Sequence, residues 1–547
     1  MQKKQIFILI IILLVAAAWK AWLLLANAVP FNSDEAVVAL MARHILAGER
    51  PIFFYGQAYM GSLDAYLVAG GFAIFGQEVW VVRLIQLILY LGTIITTVWI
   101  GHIILGSIKT GLVAACLLAI PTVNVTLYTT ASLGGYGEAL LLGNLILGVG
   151  YILIIKLNFT AEMRGKALRP PFWILGLLFG GLVGLGLWTN GLTLIYSIPA
   201  GALFLWTTFR NQNRHQFKII LEQMCGVTAG FLSGSLPWWL YAFHFGINRL
   251  IMELSGSAVA IENIPWWERI INHLVYLIVL GSPVVFGFRP PWEVLWLVVP
   301  LIPIVLAFWL AVLLFIVRQL RKGLREETGT WLLASPMIVL TCGFIFTSFG
   351  VDPSGRYFIP LAVPLCLFAS QMLENFIHRI RWQFVIVGVV ILYNGWGTLL
   401  CVHQNPPGLT TQFDSQTIID HKFDPELIQF LKNQDETTGY TNYWVAYPLA
   451  FQSRESLIFI PRLPYHPDLI YTARDDRYLP YDQIVNSSKK IAYITTRNPQ
   501  LDTALEQQFQ EHGVRWLERS IGDYHIYYDL SKVISPSEMN LTAFSSQ

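Results

Sequence analysis

Four side chains of this chain have the types that group transfer at a membrane surface requires. Asp34 and Glu35 are adjacent carboxylates just beyond the first apolar run, Glu138 follows the turn Gly134-Gly135-Tyr136-Gly137, and Arg356 lies in Asp352-Pro353-Ser354-Gly355-Arg356-Tyr357. A carboxylate can take the proton of an attacking hydroxyl, and a fixed guanidinium can hold a phosphate through paired hydrogen bonds. A leaving phosphate departs as an anion, so one carboxylate base suffices, whereas glycoside hydrolysis requires an acid and a base together.

Each of the four also has a purely structural account. Asn32 or Ser33 could cap a helix, with Glu35 completing a capping box and both acids complementing the helix dipole. Glu138 could be an exposed acid on a simple glycine turn, and Arg356 could pair with Asp352 or with lipid headgroups.

The elements that must position these residues follow from composition. The chain has 547 residues, 55% hydrophobic and 13% charged, which describes a polytopic membrane protein and excludes an ordinary soluble one. Its net charge of +2 gives no argument for nucleic acid. The five cysteines lie in apolar runs without metal-ligand spacing, so no metal site and no disulfide framework is expected.

Lys3 and Lys4 precede an apolar run from about Gln5 to Asn27 that is long enough to span. Lys20 within it either snorkels outward or faces a polar cavity. Beyond Asp34 and Glu35, Val37, Leu40, Met41 and Ile45 repeat at helical spacing while Arg43 and Glu49 fall elsewhere, which predicts an amphipathic helix on the membrane surface. His44 on that helix reads as a solvated or packed residue rather than a ligand. After Pro51 comes an aromatic, small-residue loop, Tyr55 to Gly61, and then a further apolar segment from about Leu63 to Phe75.

Further spans are expected near 79–105, 109–128, 138–157, 172–189, 191–208, 219–243, 293–317, 331–349, 357–377 and 382–402, about eleven in all with the first. Lys109, the Lys156/Arg164/Lys166/Arg169 group and the Arg210/Arg214/Lys218 group share a side with Lys3 and Lys4, which makes that side cytoplasmic and the Asp34 loop external. Counting 270–288 as a span would put the Arg318 to Arg325 run outside, so 244–292 is read as an external excursion with 270–288 a surface or re-entrant helix.

From about His403 the composition changes, with Pro406, Pro407 and Gly408 ending the last helix. Asp424-Pro425 starts a helix, Leu457–Ile460 and Ile491–Thr495 read as strands, Leu501–His512 as a helix, and Val514–Tyr528 as a hairpin turning near Gly522-Asp523. The expected fold is an all-α polytopic membrane module over 1–402, with surface helices in an external loop at 29–78, followed by a small extramembrane α/β domain over 403–547.

One external face then collects Asp34, Glu35, Glu138 and Arg356. Nucleotide sugars are not expected outside the cytoplasm, whereas a polyprenyl-phosphate sugar reaches that face through the membrane itself. Phe31 to Gly76, Gly134 to Glu138 and Asp352 to Pro360 resemble the GT-C glycosyltransferase superfamily, closest to the protein O-mannosyltransferase and lipid A aminoarabinose transferase group and related bacterial families. The span layout extends the resemblance to about residue 402. It implies Asp34 as catalytic base with Glu35 beside it, Glu138 as a further site acid, and donor-phosphate contact by Arg356 with Tyr357. The lysine-proline-proline motif of the aminoarabinose transferases is missing, its place taken by Gln57-Ala58-Tyr59-Met60-Gly61, and no β-trefoil segment is present.

Tyr55, Gln57, Tyr59 and Asp64 are candidates for substrate contact, against the alternative that they anchor the protein at the interface. No cofactor and no metal are expected, although Asp34, Glu35 and Glu138 are chemically suited to a divalent cation. The expected partners are a polyprenyl-phosphate sugar, an acceptor of unspecified class and membrane lipids, with no nucleic acid. The expected location is the plasma (inner) membrane, multi-pass, N-terminus cytoplasmic and C-terminal domain external. The competing function classes are a lipid or glycan transporter, whose polar groups belong near the bilayer midplane, and a non-catalytic scaffold.

Overall fold

The computed structural model describes residues 1–162, 172–210, 217–255, 264–324, 327–404, 408–413, 417–466 and 468–541. Arg164, Lys166, Arg169, Arg214 and Arg325 of the orienting basic groups, and Pro406 and Pro407, lie outside these residues. The chain divides into two compact units. The first comprises Met1–Ala26, Tyr59–Asp64 and Arg83–Cys401, and the second Asn27–Ala58, Ala65–Val82 and Val402–Gln547.

The chain is a multi-pass membrane protein: nine helices among the described residues are long and apolar enough to cross a bilayer. Two expected spans are divided. The 109–128 segment is a helix over Ile108–Ala119, a break at Pro121, and a short helix over Val123–Tyr128. Twelve residues rise only about 18 Å, well short of a hydrocarbon core of about 30 Å. The 219–243 segment is divided at Ser235 into Phe217–Gly234 and Leu236–Phe245, with Pro237 at the start of the second piece. The parity count that kept 270–288 out of the membrane relied on both spans. In the structure 266–285 is continuously helical, with a stretch of wider turns over Tyr276–Gly281, and meets the same length and composition as the other spans.

Within the first unit, Lys20 neither snorkels nor faces open space. It is 2% exposed, and its ammonium donates to the Thr129 carbonyl at 2.6 Å and to the Thr129 and Thr130 hydroxyls at 2.8 and 2.9 Å. These contacts tie the first helix to the segment that leads into the second expected site loop. The helices Phe172–Thr189 and Phe217–Gly234 approach through glycines spaced by four: a Cβ on Gly180 would lie 2.0 Å from the Val227 carbonyl oxygen, and one on Gly230 2.1 Å from that of Leu177. Small residues at this spacing let two backbones touch where apolar side chains gain nothing over lipid.

In the second unit, the helix Ser33–Leu46 is capped by Asn32, whose side-chain oxygen accepts from the Glu35 backbone N–H at 3.1 Å. The expected wet face is absent. Residues Glu35 to Ala42 are all buried, because the helix Tyr443–Gln452 covers this element. Phe31 and Phe72 pack on Phe451, and Arg43 lies 4.5 Å from the Phe451 ring centre.

A five-stranded sheet supports this helix pair, in the order Ile458–Pro461, Thr438–Thr441, Ala492–Thr496, Tyr524–Tyr528, Leu517–Ile521. The first three strands are parallel and the last two add antiparallel. Leu427, Leu431, Val445, Phe459, Ile494 and Ile526 form its core. The helix from Asp424, the two predicted strands, the helix over Pro499–Glu511 and the hairpin turning at Gly522-Asp523 are all present. Gly522 has φ +55°, and a Cβ there would meet Phe423 at 2.1 Å. The strand Thr438–Thr441 and the helix Tyr443–Gln452 escaped the sequence reading, the first being four residues long with a glycine and the second carrying Pro448 inside it.

Candidate functional site

Asp64 opens the helix Leu63–Phe75 and is 2% exposed. Its carboxylate accepts from the Ser132 hydroxyl at 2.6 Å and the Gln86 amide at 3.1 Å, and from the backbone N–H groups of Gly134 and Gly135. Those two glycines have φ +84° and +101°, a backbone that turns consecutive N–H groups toward one anion. Four donors satisfy this carboxylate. Burial without them would cost several kcal/mol.

Glu138 lies beside Asp64 and Gln86 and is 1% exposed, and its carboxyl interacts with the Asp64 carboxyl, the Gln86 side chain and its own backbone N–H, none of them an aligned hydrogen bond. The glycine turn does deliver this acid to the head of the helix Tyr136–Glu162, but into the interior rather than to the surface. A Cβ on Gly137 would lie 2.4 Å from the Gln86 side-chain oxygen, so the turn accepts no larger residue without a shift. Asp64, a substrate-contact candidate, and Glu138, a catalytic candidate, thus form one buried carboxyl pair.

Arg356 and Tyr357 line a cavity of about 340 Å³ together with Tyr59, Tyr136 and Asn190. Apart from Thr347 the rest of its wall is apolar, including Leu192, Ile195, Ile198, Leu340 and Phe344. Arg356 is half-buried. Its Nε is 2.6 Å from Asp352 Oδ2, a charge contact without an aligned N–H bond, and its guanidinium sits 4.9 Å from the Tyr357 ring centre.

The loop that presents Arg356 is rigidly held. Gly355 has φ +106°, and its carbonyl accepts from the Asn124 amide at 3.0 Å. Arg289 donates to the Pro353 carbonyl at 3.1 Å and to the carbonyls of Leu280, Pro290 and Glu293. Asn124, Arg289 and Tyr136 were missed by sequence reasoning. Tyr136, inside the glycine turn already singled out, was the one with a local signal. Asn124 and Arg289 act through contacts more than sixty residues away.

Asp34 and Glu35 belong to the second unit. Asp34 Oδ1 accepts from the Tyr443 hydroxyl at 2.5 Å, and its neighbour Ser33 donates to the Tyr443 carbonyl at 2.5 Å. Burial, followed by the Asp34 charge, holds the Tyr443 phenol well above its ordinary range, so the proton stays on tyrosine and Asp34 is the acceptor. Glu35 is fully buried in the first turn of the same helix.

Tyr55 is committed elsewhere. Its hydroxyl donates to Glu49 at 2.5 Å, and Tyr478 donates to the other Glu49 oxygen at 2.5 Å. His44 packs against Tyr478 and bonds Glu455 at 2.9 Å, while Tyr481 and Arg43 also reach Glu455. Gln57 and Tyr59 fall on the strand Gln57–Gly61, which pairs with Phe53–Phe54 in place of the expected irregular loop. Among the described residues no group of three or more His, Cys, Asp or Glu side chains is placed to hold a metal ion.

No family model matches this chain, and no curated protein matches it by sequence. Solved structures do match. ArnT from Cupriavidus metallidurans bound to undecaprenyl phosphate is 12% identical with a TM-score of 0.54, covering 95% of this chain and 99% of that one. The oligosaccharyltransferase AglB from Archaeoglobus fulgidus, in complex with an inhibitory peptide and a dolichol-phosphate, is 12% identical with a TM-score of 0.50, covering 98% of this chain and 75% of that one. The fold of this chain is that of these two structures.

Proposed function

We propose that this chain is a membrane glycosyltransferase that moves a sugar from a polyprenyl-phosphate carrier to an acceptor hydroxyl on the external face of the membrane. The observation that carries the reading is the cavity holding Arg356. It joins one guanidinium, ringed by the phenols of Tyr59, Tyr136 and Tyr357, to a wall of aliphatic and aromatic side chains. A phosphate attached to an isoprenoid has this duality, an anionic head for a planar cation and an apolar chain for the wall. The carriers named in the two structural relatives, undecaprenyl phosphate and dolichol-phosphate, are of that chemistry.

In this reading Asp34 takes the proton of the acceptor hydroxyl as its oxygen bonds to the anomeric carbon. The bond from that carbon to the phosphate oxygen breaks with inversion, and the polyprenyl phosphate leaves as an anion whose charge Arg356 offsets. Glu35 is assigned as the carboxylate beside the base, and Glu138 as a further site acid. The segment 1–402 is assigned the chemistry and 403–547 the role of acceptor selection.

The test is sugar transfer in reconstituted membranes from a panel of polyprenyl-phosphate sugars to a panel of lipid, peptide and glycan acceptors. Transfer by the wild type that falls at least about a hundredfold in folded Asp34→Asn supports the reading. Absence of transfer from every donor, with the wild type folded, overturns it.

A further inference from the structure

The second unit contains a cavity of about 430 Å³ that the chemistry above does not use, within the size range of small-molecule sites, about 300–1,000 Å³. Its wall includes Tyr440, Arg462, Tyr471, Asn486, Ser537 and Met539. Tyr440 lies on the strand Thr438–Thr441, and Arg462 directly follows the parallel strand Ile458–Pro461. The cavity is therefore found toward the carboxyl ends of two parallel strands, where α/β sheets characteristically hold ligands.

The charge balance of this wall selects the ligand. Arg462 is its one charged lining residue among those described, and that guanidinium is already engaged. It donates to Asp476 at 2.8 Å, to Asp482 at 2.7 Å and to the Tyr471 hydroxyl at 2.9 Å. Two carboxylates share one cation. Burial and the neighbouring Asp482 push the Asp476 carboxyl up to about 7, with Arg462 acting the other way. No uncommitted positive charge is left for a phosphate or carboxylate, so an anionic ligand is disfavoured here.

What the wall does offer is phenol rings and a thioether for an apolar face, with the Asn486 amide and the Ser537 hydroxyl beside them. Pyranose rings present that combination, C–H groups on a face and hydroxyls at the edge, and tyrosine supplies both an apolar ring and a polar tip.

We propose that this cavity binds an uncharged saccharide ring. The binding stands on the cavity itself; only the identification of that ring as part of the acceptor rests on the transferase reading.

The experiment uses the full chain in lipid nanodiscs and saturation-transfer NMR with the methyl glycosides of glucose, galactose, mannose and N-acetylglucosamine. The expected result is saturable binding of at least one glycoside in the millimolar range, weakened about tenfold or more in Ser537→Trp, which fills the cavity from its exposed rim. The same glycoside should bind Arg356→Ala as it binds the wild type. If Ser537→Trp fails to fold by circular dichroism, Tyr471→Ala replaces it with the same expectation. Binding by none of the glycosides, binding undiminished in a folded cavity variant, or binding lost only in Arg356→Ala overturns the inference. Glycoside binding without sugar transfer from any lipid donor would keep the cavity assignment and count against the transferase reading alone.

Discussion

The Tyr443 hydroxyl donates a 2.5 Å hydrogen bond to Oδ1 of Asp34, across 409 positions of sequence. This bond fixes the orientation of the proposed base from a helix that belongs to the C-terminal chain. Tyr443→Phe removes it without removing the ring that packs beside Trp444 and Tyr447. A hydrogen bond to a charged group contributes about 1.5–3 kcal/mol, so transfer should fall roughly tenfold or more in a folded protein. Initial rates in reconstituted membranes check this, and rates equal to wild type would show that Tyr443 does not orient Asp34.

Arg356→Lys keeps the charge and loses the planar fork. The variant should raise KM for the polyprenyl-phosphate donor by about tenfold while leaving KM for the acceptor near its wild-type value. Steady-state kinetics with each substrate varied separately distinguish this from a general loss of fold, which would lower the amplitude for both.

The Asp64–Glu138 pair predicts unequal stability effects from two neighbouring acids. Asp64→Ala leaves Ser132, Gln86 and two backbone N–H groups without their acceptor, and should destabilise by on the order of 3 kcal/mol. Glu138 receives no aligned hydrogen bond and shares its buried site with the Asp64 carboxyl, so Glu138→Gln, which removes that like-charged neighbour, should stay within about 1 kcal/mol of wild type. Thermal unfolding in detergent measures both, and a collapse of Glu138→Gln would show that the contacts of its carboxyl with Asp64 and Gln86 hold the fold.

Glu455 makes the second unit sensitive to acid. Burial alone would raise its carboxyl, but bonds from His44 and Tyr481 and the charges of His44 and Arg43 outweigh it and draw the group down to about 2. A carboxyl lower in the folded than in the unfolded chain contributes stability that is present above about 4.5 and lost as pH falls from there toward 2. The contribution, discounted for partial exposure, is on the order of 2 kcal/mol. Hydrogen exchange of 443–461 in the full protein should accelerate over that window in wild type, and far less steeply in Glu455→Gln.

Packing through glycine predicts that Gly180→Leu separates the helices Phe172–Thr189 and Phe217–Gly234. An added side chain meets the Val227 carbonyl, which is backbone and cannot rotate away. Folded yield from membranes should drop sharply, whereas Gly201→Leu, at a position with open space, should be tolerated.

The sequence by itself determined the class of this protein and most of its elements. Long apolar runs have one stable answer in a bilayer, because each helix satisfies its own backbone and needs no distant partner. Local signals of the same kind narrowed the cap to Asn32 or Ser33 and placed the helix from Asp424 and the hairpin at Gly522-Asp523. The glycines spaced by four were equally local and could have been read.

Only the tertiary structure decided which chemical groups meet. Asp64 and Glu138 are neighbours through a fold that brings a loop, a helix head and Gln86 together, and no spacing in the chain encodes that. The helix Ser33–Leu46 carries an amphipathic pattern that suits a membrane surface, yet a second helix about 400 residues later buries its polar side, and Glu455 just beyond that helix pairs with Arg43 and His44. Periodicity tells which face of a helix is apolar. What covers the other face depends on long-range packing, which a short window of sequence does not contain.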